Sequence, residues 1–412
     1  MLTLVSCSKS APQSPLEAIP AGAKQIAVIN LDELAEANGA NKIAASGHLL
    51  PEVETAVSAI FPDDLQKPLS TLLASAAESV DTKEATLFTA SNGYSGIIFK
   101  VLDGDRLSDS QLSTFRDKSQ DFGDYEVYSV GRRMIAVSDA LCVIAPDEST
   151  IKSVGSKDSQ KFMADMPGVK EFLSGDKTIK IATLATNFFG KEMQGLWLCG
   201  DIHFTESTAV ATVSAMQPDG TVDQLGKRIA APINLAVAPY IPEGCSLVFA
   251  TGKQDGNNKT FNLADILTKY IPGQSLISAN GTTAMYLRPA GSLNAFSLML
   301  PDRWDCAIIA EGENPNDFST YSLSEEEITN NNSNNYTDEF QGTRLAMIID
   351  IPQKSDLQTA IGLPCGASFT LKVTDDNIHA KLALYGNSQP VLATITNIPL
   401  LKMALPYIAG LK

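Results

Sequence analysis

Residues able to do acid–base or nucleophilic chemistry are few and scattered along this 412-residue chain. There are three histidines, His48, His203 and His379, and six cysteines, with no Cys/His spacing of the kind that holds zinc. No Gly-x-Ser-x-Gly elbow, His-Glu-x-x-His pair, Gly-rich phosphate loop or Gly-x-Gly-x-x-Gly turn occurs. Carboxylates are plentiful, with 47 acidic residues, and a glycosidase needs only two of them. Asp103 and Asp105, in Leu102-Asp103-Gly104-Asp105, come nearest to a paired constellation. A turn ahead of a helix opening at Ser108 accounts for them more simply. The sequence therefore nominates no catalytic residue, no cofactor and no metal ligand.

The cysteines divide by context. Cys142 and Cys306 lie inside apolar runs (Ala140–Ile144 and Asp305–Ile309), where a free thiol behaves as a small buried hydrophobe. Cys199, Cys245 and Cys365 are read the same way, as packing residues rather than a disulfide framework. Cys7 differs. It follows Leu4-Val5-Ser6, an apolar residue three before the thiol and small residues next to it, and Ser8 to Pro20 is rich in Ser, Pro and Ala. That segment resembles a bacterial lipobox followed by a tether. The resemblance implies cleavage before Cys7 and acylation of its thiol and freed amine. Each buried methylene then contributes about 0.8 kcal/mol to anchoring. Residues 1–18 are accordingly read as a shortened signal and tether.

Composition restricts the partners. A net charge of −16 repels a phosphate backbone, and no Lys/Arg cluster reverses it locally, which argues against nucleic acid. With 44% hydrophobic and 19% charged residues the chain is globular in type, and its length suits two domains.

The elements that must position any site follow from pattern. Residues 19–240 and 241–412 are expected to form two related α+β domains, each a mostly antiparallel sheet with packed helices. An internal repeat motivates this division. Pro232–Ile241 recurs as Pro399–Ile408, each copy ending in Pro-Tyr-Ile, and Ile19-Pro20-Ala21-Gly22 is echoed by Ile241-Pro242-Glu243-Gly244. Two apolar runs around Thr205-Glu206-Ser207 and two around Thr374–Asn377 predict a β-hairpin in each copy, with Cys199 and Cys365 at nearly equivalent places. Asn30 with Glu33, and Asn262 with Asp265, are helix-start signals. Further predictions are helix over Pro51–Ser79, interrupted at Pro62 and Pro68, and strands over Gln25–Ile29, Ala85–Thr89, Ser95–Val101, Glu126–Val130, Arg133–Ile144 and Lys180–Leu184. A short helix is expected from Pro167. The acidic, Asn-rich stretch Glu311–Glu339 reads as a long exposed loop. Trp197 and Trp304 are assigned to the core.

The lipobox, the tether and the opening Ala18–Leu31 together resemble Bacteroidetes cell-envelope lipoproteins of an uncharacterised domain family. In surface-exposed members an acidic run follows the cysteine. Ser8-Lys9-Ser10 lacks one, so the resemblance implies an outer-membrane anchor facing the periplasm. The function expected is a non-catalytic binding or scaffolding module with a protein or glycan ligand. The alternatives are an envelope hydrolase acting through carboxylates and a subunit of a larger envelope complex.

Overall fold

The computed structural model describes residues 14–61, 63–110, 112, 120–122, 124–176, 178–186, 194–205, 207–224, 231–241, 245, 247–252, 283–289, 304–310, 320–322, 336–350, 366–374, 377–385, 390–392 and 394. These fall into two units. The first holds the described residues up to Asp201 together with Met216–Thr221, and the second holds Ile202–Ala215 and the described residues from Val222 onward.

Folded chain begins earlier than the composition of the tether suggests. Pro15–Ala18 forms a 3-10 helix capped by Ser14, with proline at its first position, where the missing N–H is not needed. Leu16, Ala18 and Ile19 are buried, so the tether read as far as Ala18 gives way by Pro15. The strands β1 (Gln25–Ile29), β2 (Ala44–Ala45), β3 (His48–Leu49), β4 (Ala85–Thr89), β5 (Ser95–Lys100), β6 (Gln120–Phe122), β7 (Tyr125–Val130), β8 (Arg133–Val137), β9 (Leu141–Ala145), β10 (Ile179–Leu184) and β11 (Trp197–Phe204) follow. Interleaved with them are α1 (Leu31–Ala37), α2 (Pro51–Ile60), α3 (Asp63–Ala76), α4 (Gly104–Ser110), α5 (Glu148–Ser153), α6 (Lys157–Ala164) and α7 (Pro167–Leu173). The sheet runs β6-β7-β8-β9-β5-β4-β1-β10, antiparallel at every pairing. The Ala185 N–H donates to Leu196 O at 2.9 Å, leading from β10 into β11.

Both faces of this sheet are covered. Ile26, Phe88, Ile98 and Val143 share one core with Ile151, Met163, Val169 and Leu173 of α5 to α7 and with Trp197 and Cys199. The alternate residues Leu87, Ile97 and Ile144 are buried as well. On β8 and β9 lies α3, whose Leu65, Leu69, Leu72 and Leu73 are completely buried. Double coverage explains why Leu141–Ala145 is apolar without alternation. Gly96 stands opposite Phe88, and a Cβ there would lie 2.5 Å from the ring, so the aromatic needs a glycine neighbour.

Several expectations are corrected here. Pro68 sits inside α3 without ending it, although as the sixth residue it has no N–H to bond Asp64 O; it is buried, and packing holds the helix through it. The helix expected to open at Ser108 instead begins at Gly104 and ends at Ser110, because Asp103 accepts the Arg106 N–H at 3.0 Å. Arg133–Ile144 is two strands, turned where the Ser138 hydroxyl accepts the Leu141 N–H. The helices α5 and α6, capped by Asp147 and Ser156, were not anticipated.

The second unit holds β12 (Thr208–Met216) as far as Ala215, β13 (Val222–Asp223), a 3-10 helix over Leu235–Tyr240, β14 (Leu247–Thr251), β15 (Thr283–Pro289), β16 (Trp304–Ala310), β17 (Thr320–Ser322), α8 (Thr337–Phe340), β18 (Thr343–Asp350), β19 (Gly366–Thr374) and β20 (Asn377–Tyr385). Its order is β12-β20-β19-β18-β14-β15-β16-β17, again antiparallel. Ile233, Val237, Ile241, Val248, Phe340 and Ala346 share its core with Cys245. The stretch read as one long loop over Glu311–Glu339 carries β17 and the start of α8. The protein is thus α+β with antiparallel sheets.

Each unit has a five-residue strand paired along its whole length on both sides. All five residues of β1 pair with β4 on one side and β10 on the other, and all five of β14 pair with β15 and β18 in the same way. Thr205 and Thr208 close one hairpin, and Thr374 and Asn377 close the other. In β12 and β20 the fourth residues, Ala211 and Ala380, lie directly opposite one another. The repeat segments Pro399–Ile408 and Asn262–Asp265, along with Cys365, lie outside the described residues.

Candidate functional site

The residues nominated for chemistry are not gathered in one place. His48 is exposed on β3 and His203 is exposed on β11. His379, half-buried on β20, has Nδ1 3.3 Å from Thr212 Oγ1 across the pairing with β12. Asp103 caps α4, and Asp105 follows in its first turn. Among the described residues no group of three His, Cys, Asp or Glu side chains could hold a metal ion. Cys142, Cys199 and Cys245 are buried and form no disulfide, in the packing role expected of them. Burial pushes the Cys142 thiol up to about 12; it does the same to Cys199, with Lys180 acting against the shift. The backbone of Cys306 lies in β16, and Trp304 begins that strand. Cys7 lies outside the described residues.

The structure instead presents a polar cleft in the first unit, with a volume of about 1280 Å³. One wall is α1. Asn30 Oδ1 accepts the Glu33 N–H at 3.1 Å while Asn30 Nδ2 donates to Glu33 Oε1 at 3.0 Å, so the capping pair read from the sequence is formed. Glu33 Oε2 also accepts from Thr178 Oγ1 at 3.0 Å, and Asp32 Oδ1 accepts from Thr82 Oγ1 at 2.8 Å. The far wall is the end of α3 and the turn after it, where Glu78 pairs with Arg106 of α4. These contacts engage Asp32, Glu33 and Glu78, and Glu36 lines the cleft as a fourth carboxylate. The cations Lys42 and Lys83 line it exposed, without an ion-pair partner among the described residues. Next in the chain, Glu84 is held above the usual carboxylate range, by burial first and by Asp81, with Lys100 opposing.

The remaining wall is the hairpin of β2 and β3. Ser46 (φ 53°) and Gly47 (φ 76°) form its two-residue turn, both left-handed as the right-handed twist of the strands demands. Ser46-Gly47 is the legible signal for this hairpin, whose strands, two residues each, are too short to show alternation.

Comparison with known proteins adds little. No family model matches the chain, and no curated protein matches it. A crystal structure (crystal form I) of the Treponema protein TP0453 superposes with a TM-score of 0.31 at 9% identity, covering 52% of this chain and 84% of that one. At that score the likeness carries no argument. Among the described residues no helix is long and apolar enough to cross a membrane.

Proposed function

We propose that this protein is a lipid-anchored cell-envelope module, acylated at Cys7, that binds or scaffolds rather than catalyses. The observation that carries this reading is the segment Leu4-Val5-Ser6-Cys7, whose residue types suit a lipoprotein peptidase, followed by a Ser/Pro-rich stretch as far as Ser14. Burial of Cys142, Cys199 and Cys245 supports it, because those thiols are inaccessible to an acyl donor. The engagement of Asp32, Glu33 and Glu78 in hydrogen bonds and an ion pair favours a cleft shaped for binding over carboxylate hydrolysis. The five-residue strands β1 and β14, each paired along its whole length on both sides, favour two related modules in one chain. The anchor is assigned to the outer membrane, facing the periplasm.

Metabolic labelling with an alkyne palmitate analogue tests the reading. The full chain expressed in a bacterial host is expected to take up label and fractionate with membranes, and Cys7→Ala is expected to lose both. Equal labelling of the variant, or an unlabelled and freely soluble parent, would overturn it.

A further inference from the structure

The pairings of the second unit sort its side chains onto two unlike faces, because residues directly opposite one another in neighbouring strands lie on the same side of a sheet. Leu345 and Met347 of β18 stand opposite Leu371 and Phe369 of β19, which in turn oppose Ala380 and Leu382 of β20. Those two oppose Ala211 and Ala209 of β12. The alternate residues Thr370, Lys372, His379, Lys381 and Thr212 make the other face polar, and Ala346, part of the core shared with Val248 and Phe340, lies on that other side too. An antiparallel sheet ordinarily covers its apolar face and leaves the polar one to water. Here the apolar face is half-open: Met347 is 37% exposed, and Leu345, Phe369, Leu371 and Leu382 are half-buried. Its described side chains on these four strands carry no hydrogen-bonding group, and β18, β19 and β20 are each paired on both sides, so none of the three offers an open edge. Ala209, Ala211 and Ala380 meet in a depression flanked by the taller Leu371, Leu382, Ile378 and Val213, and none of the three alanines is fully buried.

We propose that this face binds the acyl chain of a single lipid molecule, seated in the alanine depression, an inference that rests on the lipid-anchored binding-module reading. A polar ligand would be stripped of water there and given no hydrogen bond in return. An α-helix, about 10–12 Å across with its side chains, covers two strand spacings and would bridge the depression, leaving the alanine methyls without contacts. The flat face of a second copy would leave the same gap. A hydrocarbon chain is one methylene wide, so it can rest on the three methyls with Leu371 and Leu382 at its flanks, and each methylene taken from water adds to its hold. The net charge of −16 opposes broad contact with an anionic bilayer surface, which favours a chain drawn out singly over a face laid on the membrane. An anchor at Cys7 keeps the module beside a supply of such chains.

Titration of the full-length Cys7→Ala chain, without detergent, with cis-parinaric acid tests the proposal, since the fluorescence of that polyene rises as it leaves water. Saturable binding is expected, displaced by palmitate and by methyl palmitate alike and little changed by salt, because the hydrocarbon and not the carboxylate is recognised. Ala211→Leu with Ala380→Leu, which fills the depression with side chain, is expected to weaken binding by about tenfold or more at unchanged melting temperature. Should that pair fail to fold, photocrosslinking of a diazirine-bearing palmitate to the Cys7→Ala chain keeps the test open, with label expected on peptides spanning β12, β19 and β20. No saturable binding, unchanged affinity in the filled variant, label confined to other segments, displacement by the acid but not the ester, association with lipid vesicles alone, or a dimer that forms through this face and excludes the probe would each overturn it. The titration does not use the anchor, so failure of the acyl-chain site and failure of Cys7 labelling are told apart.

Discussion

Removal of Asp64 tests how the first unit is held together. Arg133, on β8, keeps only 5% of its side chain exposed, and all three of its nitrogens are committed. Nε donates to Asp64 Oδ2 at 2.8 Å, Nη2 donates to the same oxygen, and Nη1 donates to Ser95 O of β5. The guanidinium thus ties α3 to two strands of the sheet. In Asp64→Ala the cation stays buried with two donors stranded. Breaking a buried pair from one side costs about 3–5 kcal/mol. Asp64 is itself 43% exposed, so water reaches the site and about 3 kcal/mol is the better figure. For a unit of this size that lowers the melting temperature by roughly 6–12 °C. Arg133→Met, which removes the charge and fills the space with apolar volume, is expected to cost about 1 kcal/mol or less. The double variant should match Arg133→Met alone. Calorimetry of the four proteins reads all of this. An Asp64→Ala loss under about 1 kcal/mol, or additive single losses, would refute the view that the pair matters through the stranded cation.

Three shorter predictions accompany it. Burial alone would raise the Asp147 carboxyl, but the Thr150 N–H and the hydroxyls of Ser149 and Thr150 hold it below its usual range. Its contribution is therefore complete above the unfolded carboxylate value and lost as pH falls through the lower folded one. Asp147→Ala should cost about 1 kcal/mol near neutrality and flatten that acid limb in denaturant melts followed against pH. Cys142 and Cys199, with thiols pushed to about 12, should not react with a disulfide reagent at mildly alkaline pH until denaturant is added; prompt native reaction would count against their burial. Gly168→Ala would set a Cβ 2.1 Å from the Gly220 backbone, which cannot rotate away, and should cost about 1–3 kcal/mol by thermal melting.

Much of the fold was legible where local rules and tertiary context agree. Gln25–Ile29 and Ala85–Thr89 form strands over the expected residues, and Asn30 caps α1 with Glu33 as its partner. Legibility failed where a local signal has two readings. Ser108-Asp109-Ser110 looks like a helix start, yet Asp103 had already capped that helix a turn earlier. Leu16 and Ala18 looked like tether because small and proline-rich sequence suits both a linker and a close-packed corner. The cleft was illegible for a different reason. Its walls come from residues 30–47, 73–83 and 106, which only the fold brings together, so no contiguous motif encodes it.

The position of β1 has a consequence for how the chain acquires its structure. The strand emerges first, but one of its two neighbours is β10, so Gln25 must wait for Thr183 before its ladder is complete. The centre of the sheet cannot close until nearly the whole unit is available, a long-range topology of the slow-folding kind. A chain threaded N-terminus first through a translocation pore would stay open during passage and shut only after its last strand arrived. The second unit repeats the arrangement, with Leu247 waiting for Ile349.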